Sequence, residues 1–172
     1  MHLFTFSGSS RPESSNIRLL KALSQRYQNF TWEHFATLDL FPLFTPQQDK
    51  HPYPKEVVAL KEAIAKSDAI IIATPEYLHN IPAQLKNAME WLTTTGDLVG
   101  KSVMPIVYTP KAPRGEKAMQ SFQWTLKALD ARIICALSLY QEELKIGQDH
   151  ELIADMWVKE MIDEAFSLLN KK

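Results

Sequence analysis

Apolar runs bounded by turn-forming residues alternate along this chain with stretches of helical period. Residues 2–7 are apolar without strict alternation, the pattern of a strand covered on both faces. Residues 15–27 place Leu20, Leu23 and Tyr27 along one face and predict a helix. Thr, Trp and Phe favour an extended segment over 31–36. A helical stripe through Val57, Leu60 and Ile64 follows at 55–66, and 68–73 is the clearest strand of all. A third helix opens near Pro82, where a missing N–H costs nothing, and carries Leu85, Ala88, Met89 and Leu92. Then come a strand at 102–109, a helix at 116–129 through Met119, Phe122, Leu126 and Leu129, a strand at 132–136 and a last helix over roughly 150–169.

Five strands interleaved with five helices predict an α/β fold, a doubly wound parallel sheet with helices on both faces. Two segments strain this pattern. Pro105 would cost an internal strand one ladder hydrogen bond, so a local bulge or distortion is expected there. Four prolines make 38–54 an irregular connection, although its stretch from Leu40 to Phe44 should pack against the domain.

Bulk properties narrow the function. A length of 172 residues suits one domain over 1–172. A net charge of -1, without a basic run, gives no case for nucleic acid or an anionic membrane. No apolar stretch approaches the roughly 20 residues of a bilayer span. A lone cysteine, Cys135, rules out an internal disulfide framework and reads as a core thiol. With no secretory signal ahead of the first strand, the expected location is cytoplasmic. The five histidines form no H-x-x-x-H or H-E-x-x-H pattern, so no metal is expected.

The chemistry concentrates in two loops, Gly8–Asn16 after the first strand and Thr74–Pro82 after the third. In an open parallel sheet both emerge at the carboxyl edge, where ligands bind. Gly8 should permit a sharp turn through backbone angles closed to other residues. Ser9, Ser14 and Ser15 offer hydroxyls, Asn16 an amide, Arg11 a planar cation and the next helix its free N–H groups, a set suited to phosphate. The plainer alternative is a serine or asparagine helix cap beside a solvated arginine. The lack of G-x-x-x-x-G-K-[ST] and of G-x-G-x-x-G favours a ligand ending in one phosphate. In the second loop Pro75 and Pro82 restrict the chain, and the backbone of 76–78 with Tyr77 could meet a flavin ring. An exposed proline-rich turn is the alternative there. Together the loops suggest a mononucleotide such as FMN.

The chain resembles the NADPH-dependent FMN reductase family of flavodoxin-like proteins. The family's G-S-x-R-x-x-S-x-N loop matches Gly8, Ser9, Arg11, Ser14 and Asn16, and its second-loop and third-helix motif matches residues 74–92, including Leu85-Lys86-Asn87-Ala88 and Glu90-Trp91-Leu92. The segment from Leu38 to Phe44 is similar to the one that follows the family's second strand. The resemblance implies a five-stranded sheet of order 2-1-3-4-5. It implies FMN as cofactor, its phosphate held by Ser9, Arg11, Ser14, Ser15 and Asn16 and its isoalloxazine lined by Pro75, Glu76, Tyr77 and Leu78. The loop after the fourth strand contacts the flavin in many members and brings in Thr109.

By the same resemblance NADPH, or NADH, is the co-substrate, and hydride passes through FMN to a small acceptor: a quinone, azo compound, metal oxyanion or free flavin. Members are usually homodimers or homotetramers through the region around the third helix, which makes Trp91 an interface candidate, with a core role equally open. Two departures stand out: Pro110 and Pro113 remove N–H donors from the 109–115 loop, and Leu78 stands where Asn is frequent. A flavodoxin-type electron carrier and a binding protein without cofactor are the competing readings. His79 could meet a second substrate, Lys111 and Arg114 could attract the 2′-phosphate of NADPH, and Glu76 fits a backbone or rim role better than that of a base.

Overall fold

The computed structural model describes residues 1–35 and 38–170. Its sheet is parallel. Strand β1 (His2–Ser7) lies between β2 (Thr31–His34) and β3 (Ala69–Thr74), and β4 (Ser102–Thr109) follows. The last position is shared by β5 (Arg132–Ile133) and β6 (Leu137–Tyr140), both paired with β4. The order is the expected 2-1-3-4-5.

Strand side chains alternate between two apolar layers. Leu3, Ile71, Met104 and Ile106 face α1 (Ser15–Arg26) and α5 (Met156–Leu169). Phe4, Phe6, Ile70, Ile72 and Val103 face α2 (Lys55–Lys66), α3 (Ala83–Glu90) and α4 (Glu116–Ala128). Every residue of β3 is buried, as a strand covered on both faces must be. The predicted stripes meet these layers, including Leu20 and Leu23 in α1 and Phe122 and Leu126 in α4.

The distortion expected at Pro105 falls on its neighbour. Strand β4 keeps unbroken register with β3 through Ile72↔Pro105 and Ala73↔Ile106. The carbonyls of Lys101, Val103 and Thr109 accept from Arg132, Ile134 and Gln141, so odd-numbered β4 residues point their polar backbone toward the fifth position. Pro105 faces that side without a donor. There the partner strand breaks: Ile133 pairs with Val103 and Leu137 with Ile106, one more residue on the outer strand than on β4. Cys135 sits in this break, half-buried against the α1/α5 layer, and burial raises its thiol pKa.

Several expectations are corrected, and the alternative left open for Trp91 is decided in favour of the core. The fifth strand predicted at 132–136 ends at Ile133 and resumes as β6. The helix predicted from about residue 150 begins at Met156, because β7 (Leu144–Ile146) and β8 (Leu152–Ala154) form an antiparallel hairpin that buries Leu144 and Leu152. Trp91 is fully buried, so it presents no surface to a second subunit; its Nε1 donates to the Pro42 carbonyl at 2.9 Å and its ring meets Phe44 edge-on. In the same segment Phe41 and Phe44 pack inward, but Leu40 and Leu43 are 68% and 74% exposed. The strand predicted over 31–36 runs to His34, and its last residue lies outside the described residues.

Candidate functional site

Loops at the carboxyl ends of β1, β3, β4 and β6 surround a pocket of about 750 Å³. The first loop is shaped by its own side chains. Ser7 Oγ accepts the Ser9 N–H at 3.0 Å, Ser9 Oγ accepts the Arg11 N–H at 3.4 Å, and the Arg11 carbonyl accepts the Ser14 N–H at 3.1 Å. Ser14 caps α1 through an Oγ bond from the Ile17 N–H at 3.2 Å. Helix geometry leaves the Ser15 and Asn16 N–H groups without intrahelical acceptors at the positive end of the α1 dipole.

Gly8 has a different role from the one expected. It is not in the left-handed region. A Cβ there would collide with Thr74 Oγ1 and lie 2.9 Å from Leu85 Cδ2. Close packing of β1 against β3 and α3 is what excludes a larger residue.

Of the phosphate candidates, Arg11 and Ser15 line the pocket. Ser9, Ser14 and Asn16 are buried behind it, between 1% and 3% exposed, and shape the loop. Asn16 Nδ2 donates to the Tyr108 carbonyl at 3.4 Å, tying α1 to β4, while its Oδ1 is buried with no partner among the described residues. An orphaned buried acceptor costs roughly 1–3 kcal/mol, and a polyol chain carries hydroxyl donors of the kind it lacks.

The second loop brings Pro75, Glu76, Tyr77 and Leu78 to the pocket together. Tyr77 and Asn80 exchange both backbone hydrogen bonds at 2.9 Å. Leu78 (φ 49°) and His79 (φ 59°) occupy the turn between them, both left-handed as a type I′ turn requires. Leu78 is 99% exposed at the tip. Asn tolerates this backbone better than Leu.

The Glu76 carboxylate, in the pocket wall, is engaged by the protein itself. Oε2 accepts the Ala118 N–H at 3.0 Å in the first turn of α4, whose own cap, Gly115, has no side chain. Oε1 lies 3.7 Å from Nδ1 of His79, an exposed residue that also lines the pocket. Ser121 Oγ donates to Asn80 Oδ1 at 2.6 Å, binding the same loop to the same helix.

The third wall is the 109–115 loop. Thr109 is buried, and its Oγ1 donates to the Arg114 carbonyl at 2.7 Å, which closes the loop. Gly115 is left-handed at φ 103°, and a Cβ on it would lie 2.7 Å from Val107 Cγ1. Thr109, Pro110 and Arg114 line the pocket; Lys111 does not. Tyr108 and Gln141 also line it, and sequence reasoning missed both. Gln141 Nε2 donates to Ser15 Oγ at 3.2 Å from the end of the unpredicted strand β6, so no local signal marks it. Tyr108 is buried, and burial pushes its hydroxyl pKa up to about 12, with nearby Arg18 pulling the other way.

A family model, that of the NADPH-dependent FMN reductases, matches residues 1–140. The chain belongs to the NADPH-dependent FMN reductase family. It is thereby an oxidoreductase of the FMN- and NAD(P)H-dependent kind. Among the chain's relatives, the NADH:(hydroxy)cinnamate reductase subunit CrdA of Vibrio ruber is 28% identical over 148 residues, 86% of this chain and 72% of that one. A quinone reductase of Escherichia coli is 34% identical over a segment covering 51% of this chain and 47% of that enzyme, about half its length. The fold is shared with FerB, a flavoenzyme NAD(P)H:(acceptor) oxidoreductase of Paracoccus denitrificans. That structure has a TM-score of 0.79 at 20% identity and covers 98% of this chain and 95% of its own. No helix among the described residues is long and apolar enough to cross a membrane.

Proposed function

We propose that the pocket holds FMN with its phosphate at the α1 N-terminus and its ring against the second loop. The observation that carries this reading is the shared pocket: Arg11 and Ser15 line one part of the wall that Pro75 to His79 complete. Arg11 supplies a planar charge-assisted contact, and the Ser15 and Asn16 N–H groups supply dipole-aligned donors. Pro75 to Leu78 and Thr109 form the remaining walls. The donors fit a phosphate monoester.

Bound FMN supplies two-electron chemistry, accepting hydride from NADPH or NADH and passing it to an acceptor. The chain's residues bind and orient, and the type I′ turn leaves the mouth open to a second substrate. The acceptor is a small molecule, a quinone by the kinship with quinone reductases, with azo compounds, metal oxyanions and free flavin as further members of the class. A homodimer or homotetramer in the cytoplasm completes this reading. Buried Trp91 gives way as interface candidate to the exposed Leu78 and Trp124, which border one recess between α3 and α4.

The test is an absorbance spectrum of purified protein with FMN, before and after anaerobic NADPH. Binding should quench FMN fluorescence, and NADPH should bleach the visible flavin band, which a quinone then restores. Absence of quenching overturns the cofactor site. Bound FMN that no reduced nicotinamide bleaches indicates an electron carrier instead.

A further inference from the structure

Beyond the Ser15–Gln141 hydrogen bond the pocket continues into a second recess of about 360 Å³, lined by Ser15, Arg18, Tyr108, Gln141, Lys145 and Ile146. Ser15, Tyr108 and Gln141 also line the main pocket, so the recess adjoins the end assigned to the phosphate. Its lining includes two cations and no carboxylate. Neither Arg18 nor Lys145 has an ion-pair partner among the described residues. Arg18 is held in place by the β7 end of the hairpin: one Nη donates to the carbonyls of Ile146 at 2.5 Å and Gly147 at 2.9 Å. A guanidinium has five N–H donors, so others stay available to a ligand.

Two unpaired cations beside a phosphate monoester site make a place for a second phosphate. We propose that this recess is a second phosphate subsite through which the flavin site also takes FAD, the pyrophosphate diester of FMN and AMP. The second phosphate sits one bridging oxygen beyond the first, toward Arg18 and Lys145. Ile146 and the aliphatic stem of Lys145 offer apolar surface to the nucleoside. The hairpin that places Lys145 and anchors Arg18 is the element through which this chain acquires the subsite. The inference rests on the FMN reading above.

Flavin-free protein titrated with riboflavin, FMN and FAD by fluorescence quenching tests it. FAD should bind within about tenfold of FMN, and Lys145→Glu should weaken FAD by about tenfold or more while changing FMN by less than about threefold, because charge-assisted contacts are of that size. Lys145→Gln should act in the same direction with a smaller effect. Equal loss of FMN and FAD affinity in Lys145→Glu overturns the subsite, as does FAD binding to the wild type no tighter than riboflavin. If FMN itself binds no tighter than riboflavin, the phosphate site at Arg11 and Ser15 fails first, and that result is separate from either.

Discussion

Glu76 accepts the backbone N–H of Ala118 at 3.0 Å, so a residue of the second loop caps the helix that follows the third. This bond couples the geometry of the pocket to the stability of α4. The carboxylate meets an N–H in the first turn, where the dipole favours negative charge.

Glu76→Ala should therefore destabilise the fold by about 1 kcal/mol, the usual value of a helix cap. Glu76→Gln keeps an acceptor and should lose less. Urea unfolding of the three proteins gives the ranking, and an unchanged midpoint in Glu76→Ala would remove the capping role.

Leu78 should be replaceable with a gain. Its side chain is 99% exposed, so burial lost on substitution is negligible, while φ 49° strains a leucine. Leu78→Asn or Leu78→Gly should raise stability by roughly 1 kcal/mol, read as a higher thermal midpoint. Destabilisation by Leu78→Gly would mean that the side chain is covered in the working assembly.

Arg11 carries the charge of the phosphate site. Arg11→Ala should weaken FMN by about tenfold or more, since hydrogen bonds to charged groups are worth about 1.5–3 kcal/mol. Riboflavin lacks the phosphate and should bind both proteins alike in a quenching titration. Parallel losses for the two flavins would place Arg11 outside the phosphate site.

Tyr108 predicts an alkaline limb. Its pKa is about 12 in the fold, against 10.0 in the free side chain, because burial penalises the phenolate more than nearby Arg18 favours it; the protonated hydroxyl donates to the Leu144 carbonyl at 2.5 Å. The raised value favours the protonated form in the folded state, so its contribution is fully present below pH 10 and is lost as pH rises from about 10 to about 12. Tyr108→Phe should cost about 1 kcal/mol at neutral pH and flatten part of this decline in denaturation midpoints. Tyr27 is also raised by burial and accounts for a remaining slope.

The sheet was legible because its strands are short apolar runs and its helices carry stripes that repeat over three or four residues, signals contained within one element. The loop after β1 was legible for the same reason: Ser14 caps α1 from the adjacent position. The C-terminal third was harder to read. Leu137–Tyr140 and Leu144–Ile146 are too short for a period, and Leu152–Ala154 borders a strongly periodic helix whose apolar pattern runs into it.

By itself the sequence determined the alternation of strand and helix, the two ligand-edge loops and the family motif they carry, because local periodicity and spacing specify them. Only the tertiary structure decided what the loop residues do. Glu76 meets α4 across 42 positions, Asn16 meets β4 across 92, and Gln141 meets Ser15 across 126. It also decided that Gly8 serves close packing and that the effect of Pro105 is expressed on a neighbouring strand. Such partners are chosen by how the layers pack, and no local pattern along the chain encodes which distant backbone group will arrive opposite a given side chain.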